Sequence, residues 1–283
     1  MSESEGVVHR AVVSGEKSLF DVLRDLWRAR YAMTVVGFAG LVFGFTFITL
    51  AVPSYRAEMV VAPASPIGGH GGFQLPILPD IRLWESQSIQ NYPDFMRFEN
   101  KYSAPTVAGL LLEDSKVKEG VFHDRGFSFQ EGKRDWTPET LSRYLQRSVR
   151  LEPVGNTPLR RFVYMHPNRD FAVYMLGRIH YITDTLIRQN IRLETQERIV
   201  YLQDALTRTA NPDHRRALAD LLMEQERLRM MVSMDQPYAA SIVEPPSAGV
   251  KPEWPDARLV FPFFFLVGCF LGFLFYGARH IHE

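Results

Sequence analysis

Few residues of this chain have the types and spacing that enzyme chemistry requires. The nearest thing to a phosphate-binding loop is Gly15-Glu16-Lys17-Ser18. It lacks the upstream glycine and the preceding strand that together form a cradle of backbone N–H groups. The eight histidines are scattered, and neither His123-Asp124 nor His166 has a second histidine or carboxylate at a metal-ligand spacing. We therefore expect neither a nucleotide site nor a metal site.

The acidic and basic clusters also point away from catalysis. On a helix, the adjacent side chains of Glu113 and Asp114 diverge by about 100 degrees, whereas a glycosidase needs two carboxylates about 5–10 Å apart across a cleft. Arg143, Arg147 and Arg160-Arg161 are typical of solvated surfaces, although an anionic glycan is a further candidate partner for them. The sequence predicts a protein that is not an enzyme, uses no cofactor and binds no nucleic acid.

Two pairs of small residues have the spacing that lets helices approach closely. They are Gly40-xxx-Gly44, with Gly37 one turn earlier, and Gly268-xxx-Gly272. Both pairs lie inside long charge-free runs. We expect Gly40, Gly44, Gly268 and Gly272 to be helix-packing residues.

The two charge-free runs that contain these glycines are long enough to form membrane-spanning helices. Residues 31–52 and 259–278 contain no charged residue, and each is about 20 residues long, the length a helix needs to cross a hydrocarbon core of about 30 Å. The first run is longer than the apolar core of a cleaved signal peptide and begins well inside the chain, so it predicts an uncleaved signal anchor. The sequence thus predicts two transmembrane helices.

Basic residues near the spans set the predicted orientation. Arg24, Arg28 and Arg30 precede the first span and Arg279 follows the second. We expect residues 1–30 and 279–283 to be cytoplasmic segments of a two-pass bacterial inner-membrane protein, with the main domain periplasmic and membrane lipid as a partner. The single cysteine, Cys269, lies in the second span, so no disulfide is expected outside the membrane.

Before the first span and between the two spans, apolar periodicity and breaker residues predict the following elements. Ser18–Arg30 has an amphipathic pattern typical of a helix along the inner leaflet, or of an extension of the span. The remaining predictions are strands at 55–62, 127–129, 148–154, 162–165 and 238–243, a loop at 65–72, and helices at 94–102, 106–112 and 137–148, the last begun by Thr137-Pro138.

From Asn168 to Arg208 the chain has no proline and apolar residues recur at helical spacing, which predicts a helix of about 60 Å. Asn211-Pro212-Asp213 ends it, and a second helix is expected from Asp213 to about Val232. The two form an antiparallel hairpin, with coiled-coil-like contacts, or a kinked rod. A proline-rich, extended stretch follows and enters the second span, with Pro245, Pro246, Pro252, Pro255 and Pro262.

The order of these elements resembles the polysaccharide co-polymerase family, the Wzz-type chain-length determinants and polysaccharide export membrane proteins. Three segments are similar to the family in residues: Tyr55-Arg56-Ala57 after the first span, the stretch from Gln225 through Gln236-Pro237-Tyr238-Ala239 to the strand ending at Val243, and Glu244-Pro245-Pro246 with the prolines that follow it. The chain between residues 63 and 224 matches no family motif in residues.

The resemblance implies a fold and a role. The fold is a membrane protein in which two transmembrane helices flank an α/β extracytoplasmic domain with a long helical hairpin. The α/β domain is membrane-proximal and comprises residues 53–167 and 236–257, and the hairpin comprises residues 168–235. The role is that of a homo-oligomer beside a polysaccharide polymerase or export transporter. It would regulate the chain length of O-antigen, exopolysaccharide or capsule.

Two other interpretations remain open at this point. One is an inner-membrane scaffold of a capsule or exopolysaccharide export complex, linking a transporter to an outer-membrane channel. The other is a two-span sensor that requires a partner to signal. Some larger relatives of the family contain a tyrosine kinase, but we expect none here, because the residues after the second span contain no tyrosine cluster.

Overall fold

The structure is a computed structural model that describes residues 27, 29–64, 92–128 and 135–281. These residues belong to two compact units: Met1–Ala51 with Asp256–Glu283, and Val52–Pro255. In chain order the elements are α1 (Arg30–Leu50), β1 (Tyr55–Pro63), α2 (Pro93–Lys101), α3 (Pro105–Glu113), α4 (Ser115–Phe122), α5 (Pro138–Ser148), β2 (Val149–Pro153), β3 (Arg160–His166), α6 (Arg169–Arg208), α7 (Pro212–Ser233), β4 (Ala240–Ala248) and α8 (Ala257–Ile281).

The first unit contains two helices that are long and apolar enough to cross a membrane, α1 and α8. They coincide with the predicted spans 31–52 and 259–278. The two helices are antiparallel, because Gly44 of α1 lies against Phe264 near the start of α8, whereas Gly272 of α8 lies against Ala32 near the start of α1. Pro262 lies inside α8, near its beginning.

Small residues bring the backbones of α1 and α8 together. A Cβ atom added at Gly268 would lie 2.7 Å from the carbonyl oxygen of Val36, and one added at Gly40 would overlap the carbonyl oxygen of Phe264. The ring of Phe264 also packs against Phe43 and Phe47. The structure therefore places all four predicted glycines at the contact between these helices: Gly40, Gly44, Gly268 and Gly272.

The second unit contains a four-stranded antiparallel sheet in the order β2-β3-β1-β4. Because side chains alternate between the two faces of a sheet, Ala57, Met59 and Val61 of β1 point to one side, and all three are buried in the core. Helices cover this face. Buried residues from several elements complete the core, among them Phe98, Val107, Leu111, Leu145, Phe162, Tyr164, Met175 and Ile179.

The helices α6 and α7 form the predicted antiparallel hairpin. The turn lies at residues 209–211, and Arg188 of α6 donates hydrogen bonds to the carbonyls of Met234 and Gln236 beyond the end of α7. The side chain of Asn168 caps α6 by accepting from the N–H of Phe171, and that of Asn211 caps α7. The first half of α6 packs on the sheet, so the hairpin and the sheet belong to one compact unit.

Local signals placed most of the other elements correctly. Thr137 caps α5 and Pro138 occupies its first turn, as the sequence predicts. The strands expected at 55–62, 148–154 and 162–165 correspond to β1, β2 and β3, and the helices expected at 94–102 and 106–112 to α2 and α3. The predicted amphipathic helix 18–30 and the loop 65–72 lie largely or wholly outside the described residues. The strand expected at 127–129 is wrong in its described part, because Phe127 forms only an isolated bridge and Ser128 lies in a turn, and Phe129 lies outside the described residues.

The helix α4 was not predicted, and one carboxylate holds its start in place. Asp114 accepts a hydrogen bond from the N–H of Lys116 and another from the hydroxyl of Tyr174, and Arg178 lies 3.1 Å from it. The hydrogen bond from Tyr174, with the backbone donors and the charge of Arg178, outweighs burial and lowers the pKa of Asp114. Asp114 of the Glu113-Asp114 pair therefore caps helix α4.

We predict that Gly268→Ile destabilises the packing of α1 against α8, because the new side chain would overlap the backbone of Val36. Overpacking of this kind costs about 1–3 kcal/mol. The free energy of unfolding of the full chain in mixed micelles, titrated with SDS, measures the effect. Gly277→Ile is the matched control, because a Cβ atom at Gly277 meets nothing within 4 Å. Equal losses in the two variants would contradict the packing role.

We also predict that Asp114→Asn reduces stability at neutral pH but not in acid. Because the pKa of Asp114 is lower in the folded chain, its stabilisation is present above the unfolded pKa of about 3.9 and is lost as pH falls through the folded pKa. The difference in thermal midpoint between the two proteins should therefore be measurable at pH 7 and shrink as pH falls below about 3.9. A difference that does not change with pH would contradict the ionic role of Asp114.

Candidate functional site

Two segments from opposite ends of the second unit meet beside the sheet. The strand β1 pairs with β4, so that Ala57 lies opposite Ala248. Just before β1, the N–H of Ser54 donates to the carbonyl of Trp254, and the N–H of Glu253 donates to the carbonyl of Ser54, each at 2.9 Å. The beginning of β1 and the proline-rich stretch are therefore joined by backbone hydrogen bonds.

Arg56 is the charged centre of this junction. Its guanidinium lies 2.6 Å from Glu58, 3.3 Å from Glu253 and 3.5 Å from Glu152. Glu58 is shared with Arg161 at 3.4 Å. We call Arg56, Glu58, Glu152, Arg161 and Glu253 the Arg56 network. It connects β1, β2 and β3 with the stretch that follows β4.

The carboxylates of the network stabilise the charged form of Arg56. Partial burial alone would lower the pKa of Arg56, but the hydrogen bond to Glu253 and the charges of the nearby carboxylates outweigh it, so the pKa is raised. Removing the guanidinium would leave Glu152 and Glu253 without the cation that they share, whereas Glu58 would keep Arg161. Arg56 is therefore the residue that joins Glu152 and Glu253 to the rest of the network.

An open pocket of about 430 Å³ lies beside the network. Its lining combines charged side chains, a hydroxyl group and backbone, a set that forms hydrogen bonds with polar ligands. The pocket presents neither a histidine nor a cysteine. It is lined by Arg56, Glu58, Ser247, Gly249, Lys251, Pro252 and Glu253.

The predicted proline-rich motif has two distinct parts. Pro245 and Pro246 lie within β4, where the pairing with β1 slips between the Glu58–Ser247 and Val60–Glu244 pairs. Proline has no N–H to donate, so strands accept it at edges and bulges, and β4 is an edge strand. Further along the chain, Pro252 lines the pocket and Pro255 follows Trp254 through a cis peptide bond.

The strand expected at 238–243 begins and ends too early. The observed strand β4 starts at Ala240 and continues to Ala248. It continues past residue 243 because the bulge at the edge of the sheet accommodates Pro245 and Pro246. Tyr238 and Ala239 lie before it.

The segment before β4 is held by an aspartate that the sequence analysis missed. Asp184 is only 3% exposed and accepts hydrogen bonds from the N–H groups of Tyr238 and Ala239 at 2.9 and 2.8 Å. Arg188, four residues later on α6, lies 2.9 Å from the same carboxylate. An Asp–Arg pair at this spacing on an otherwise apolar helix face was the available signal.

His166 and Arg160, two of the residues considered for metal or glycan chemistry, have structural partners, whereas Arg143 and Arg147 are exposed on α5. His166 is buried, its Nδ1 accepts from the N–H of Asn168 at 3.0 Å and its Nε2 lies 3.0 Å from the carbonyl of Gly120. Burial lowers the pKa of His166. Arg160 is 2.6 Å from Glu99. Within the described ranges, no group of three His, Cys, Asp or Glu residues has the geometry to hold a metal ion.

Similarity of this chain to known proteins is found among solved structures. No family model matches the chain, and no curated protein matches it either. A solved structure described as a full-length bacterial polysaccharide co-polymerase is similar to it, with a TM-score of 0.45 and 13% sequence identity, covering 93% of this chain and 97% of that one.

We predict that Arg56→Ala destabilises the second unit. Exposed ion pairs contribute roughly 0–1 kcal/mol each, and leaving their partners unpaired adds to the loss, so we expect about 1–3 kcal/mol. Thermal unfolding of the full chain in detergent measures the change. Arg150→Ala removes a more exposed arginine from β2, which β3 separates from β1 in the sheet, and is the matched control. An Arg56→Ala protein as stable as the Arg150→Ala protein would contradict the role assigned to the network.

Proposed function

We propose that this chain is a polysaccharide co-polymerase that regulates the chain length of a surface polysaccharide. It acts as a homo-oligomeric scaffold beside the polymerase, and bond formation and energy are supplied by partner enzymes. The chain lies in the bacterial inner membrane with both termini in the cytoplasm and the second unit in the periplasm. The spans are α1 and α8.

The observation that supports this proposal most strongly is the junction at Arg56. Two of the segments that resemble the family, Tyr55-Arg56-Ala57 and the stretch from Glu244 to Pro255, are about 190 residues apart in the chain and come together there through β-pairing and the Arg56–Glu253 ion pair. The third segment, around Tyr238, is fixed by Asp184 at the start of β4. The sequence resemblance thus corresponds to one connected part of the domain.

The hairpin is the element that we assign to the regulation of length. It extends past the last core residue of α6, Ile191, by the rise of residues 192–208, about 26 Å. A rigid extension of this kind, repeated around an oligomer, provides a surface of fixed size along which a growing glycan or its polymerase is held. The length of the extension should therefore influence the length of the product.

The test is to shorten the hairpin. Deleting residues 205–215 and joining the ends with Gly-Asn-Gly removes the tip while leaving the core of the unit intact. We expect a changed modal length of the surface polysaccharide on a gel, with unchanged insertion of the protein in the membrane. The control replaces only Thr209-Ala210-Asn211 by Gly-Asn-Gly and keeps the helices at full length.

Two outcomes would count against the proposal. An unchanged size distribution at equal protein level would remove the role of the hairpin in setting length. Loss of surface polysaccharide with accumulation inside the cell would instead favour the export-scaffold interpretation, in which the chain links a transporter to an outer-membrane channel.

A further inference from the structure

The buried side chain of His166, at the end of β3, links two helices through its ring. Its Nε2 lies 3.0 Å from the carbonyl oxygen of Gly120, in the last turn of α4. Its Nδ1 lies 3.0 Å from the backbone nitrogen of Asn168, the residue that caps α6. Both ring nitrogens are therefore occupied by backbone groups, one from each helix.

These two partners require the neutral form of the ring. A carbonyl oxygen only accepts hydrogen bonds, so the bond to Gly120 assigns the ring proton to Nε2. A backbone N–H only donates, so the bond from Asn168 requires a lone pair on Nδ1. A protonated imidazole has a proton on each nitrogen and no free lone pair. Protonation of His166 therefore removes the acceptor of the Asn168 N–H.

The proton added to Nδ1 would face the carbonyl oxygen of Asn168, which lies 3.2 Å away. That oxygen already accepts the N–H of Ala172 at 3.0 Å, in the first hydrogen bond of α6. The side chain of the same asparagine accepts the N–H of Phe171 at 3.0 Å. A rotation of the Asn168 backbone toward the protonated ring would therefore disturb both bonds that begin α6.

Close packing holds the ring of His166 between these partners. The ring of Phe171 lies against it with the centroids 4.5 Å apart, and the ring of Tyr164 stacks on it at 5.8 Å. A Cβ atom added at Gly120 would overlap the ring of Phe171, so α4 approaches α6 closely at the same place. His166 therefore lies at the contact between the last turn of α4 and the first turn of α6.

The groups around the ring shift its protonation in opposing directions. Burial lowers the pKa of His166, and the nearby carboxylate of Asp124 opposes this shift, whereas His123 adds to it. Asp124 accepts a hydrogen bond from the hydroxyl of Tyr144 at 2.5 Å, and that hydroxyl lies 2.7 Å from the hydroxyl of Tyr164. Burial raises the pKa of both tyrosines, so both are neutral near pH 7. Asp124 is therefore a charge that favours protonation of His166.

Further ionisable neighbours belong to β1 and α6. Tyr55 lies opposite His166 in the pairing of β1 with β3. Arg169 and Asp170 follow the cap of α6 and are exposed, and the side chain of Arg169 donates to the carbonyl of Ala248 at 3.0 Å. The amino-terminal end of a helix carries a partial positive charge, which disfavours another positive charge beside it. A protonated His166 is therefore unfavourable next to the cap of α6.

We propose that His166 makes the attachment of α4 to the start of the hairpin helix α6 dependent on pH. When the ring is neutral, one side chain joins Gly120 to Asn168. When the ring is protonated, the N–H of Asn168 loses its acceptor and the first turn of α6 loosens. The base of the hairpin is thereby held less firmly in acid, whatever the role of the chain in polysaccharide synthesis.

The direction of the pH dependence follows from the pKa of His166, which is lower in the folded chain. When the first turn of α6 opens, the ring regains its ordinary pKa of about 6.5, so the open form binds more protons than the closed form. The stabilisation of the closed form is therefore present above about pH 6.5 and is lost as pH falls towards the folded pKa. For one proton, the closing equilibrium constant falls by up to about tenfold per pH unit in this range.

Hydrogen–deuterium exchange of the full-length protein in detergent micelles measures this loosening. The rates are corrected for the intrinsic dependence of amide exchange on pH. We expect the amides of residues 168–172 to be about tenfold less protected at about pH 5 than at about pH 6.5. Residues 182–187, in the middle of α6, should keep their protection.

Three variants assign the response to one side chain. His166→Gln cannot titrate, so the protection of residues 168–172 should no longer depend on pH, whatever its absolute value. His180→Gln is the matched control, because His180 is also buried with a lowered pKa but donates to the carbonyl of Ala240, and it should leave the response unchanged. Asp124→Asn removes a charge that favours the protonated ring, so the fall in protection should continue to lower pH.

Three results would overturn the inference. The first is a protection of residues 168–172 that does not change between the two pH values. The second is an equal fall at residues 182–187, which would show that the response is not local to the start of α6. The third is a response that persists in His166→Gln or disappears in His180→Gln.

Discussion

The arrangement of the second unit depends on the junction of β1 with β4 and the stretch that follows it, where Arg56 and Glu253 form an ion pair. The ion pair joins residues that are 197 positions apart in the chain, at the place where that unit begins and ends. With the backbone bonds between Ser54 and Trp254, it brings the first and last residues of the unit together. The residues between them, which include the sheet and the hairpin, therefore form one segment whose two ends lie next to each other.

The second constraint is the buried carboxylate of Asp184. A carboxylate taken out of water requires compensating hydrogen bonds and an opposite charge, and the chain supplies both from Tyr238, Ala239 and Arg188. These bonds determine where the returning helix α7 ends and where β4 begins. The hydrogen bonds from Tyr238 and Ala239 to Asp184 consequently fix the position of α6 relative to the start of β4.

Features of the fold that neighbouring residues determine, such as spans, helix caps and turns, could be predicted from the sequence. The charge-free runs predicted α1 and α8, and Thr137-Pro138 predicted the start of α5. Asn211-Pro212 predicted the turn of the hairpin. Features that depend on distant partners were not accessible. The continuation of β4 through Pro245 and Pro246 follows from its position at the edge of the sheet, and the role of Arg56 follows from Glu152 and Glu253, which no local pattern connects to it. The glycine pairs were identified by spacing, but only the packing of α1 on α8 shows which backbone atoms they approach.

We propose that this chain regulates the length of a surface polysaccharide. The size distribution of that polysaccharide in cells with and without the gene tests this role most directly. The proposed account predicts that a modal band in the first strain is replaced by a broad, random distribution in the second, and that a plasmid copy restores the mode. An identical distribution in the two strains would contradict the account.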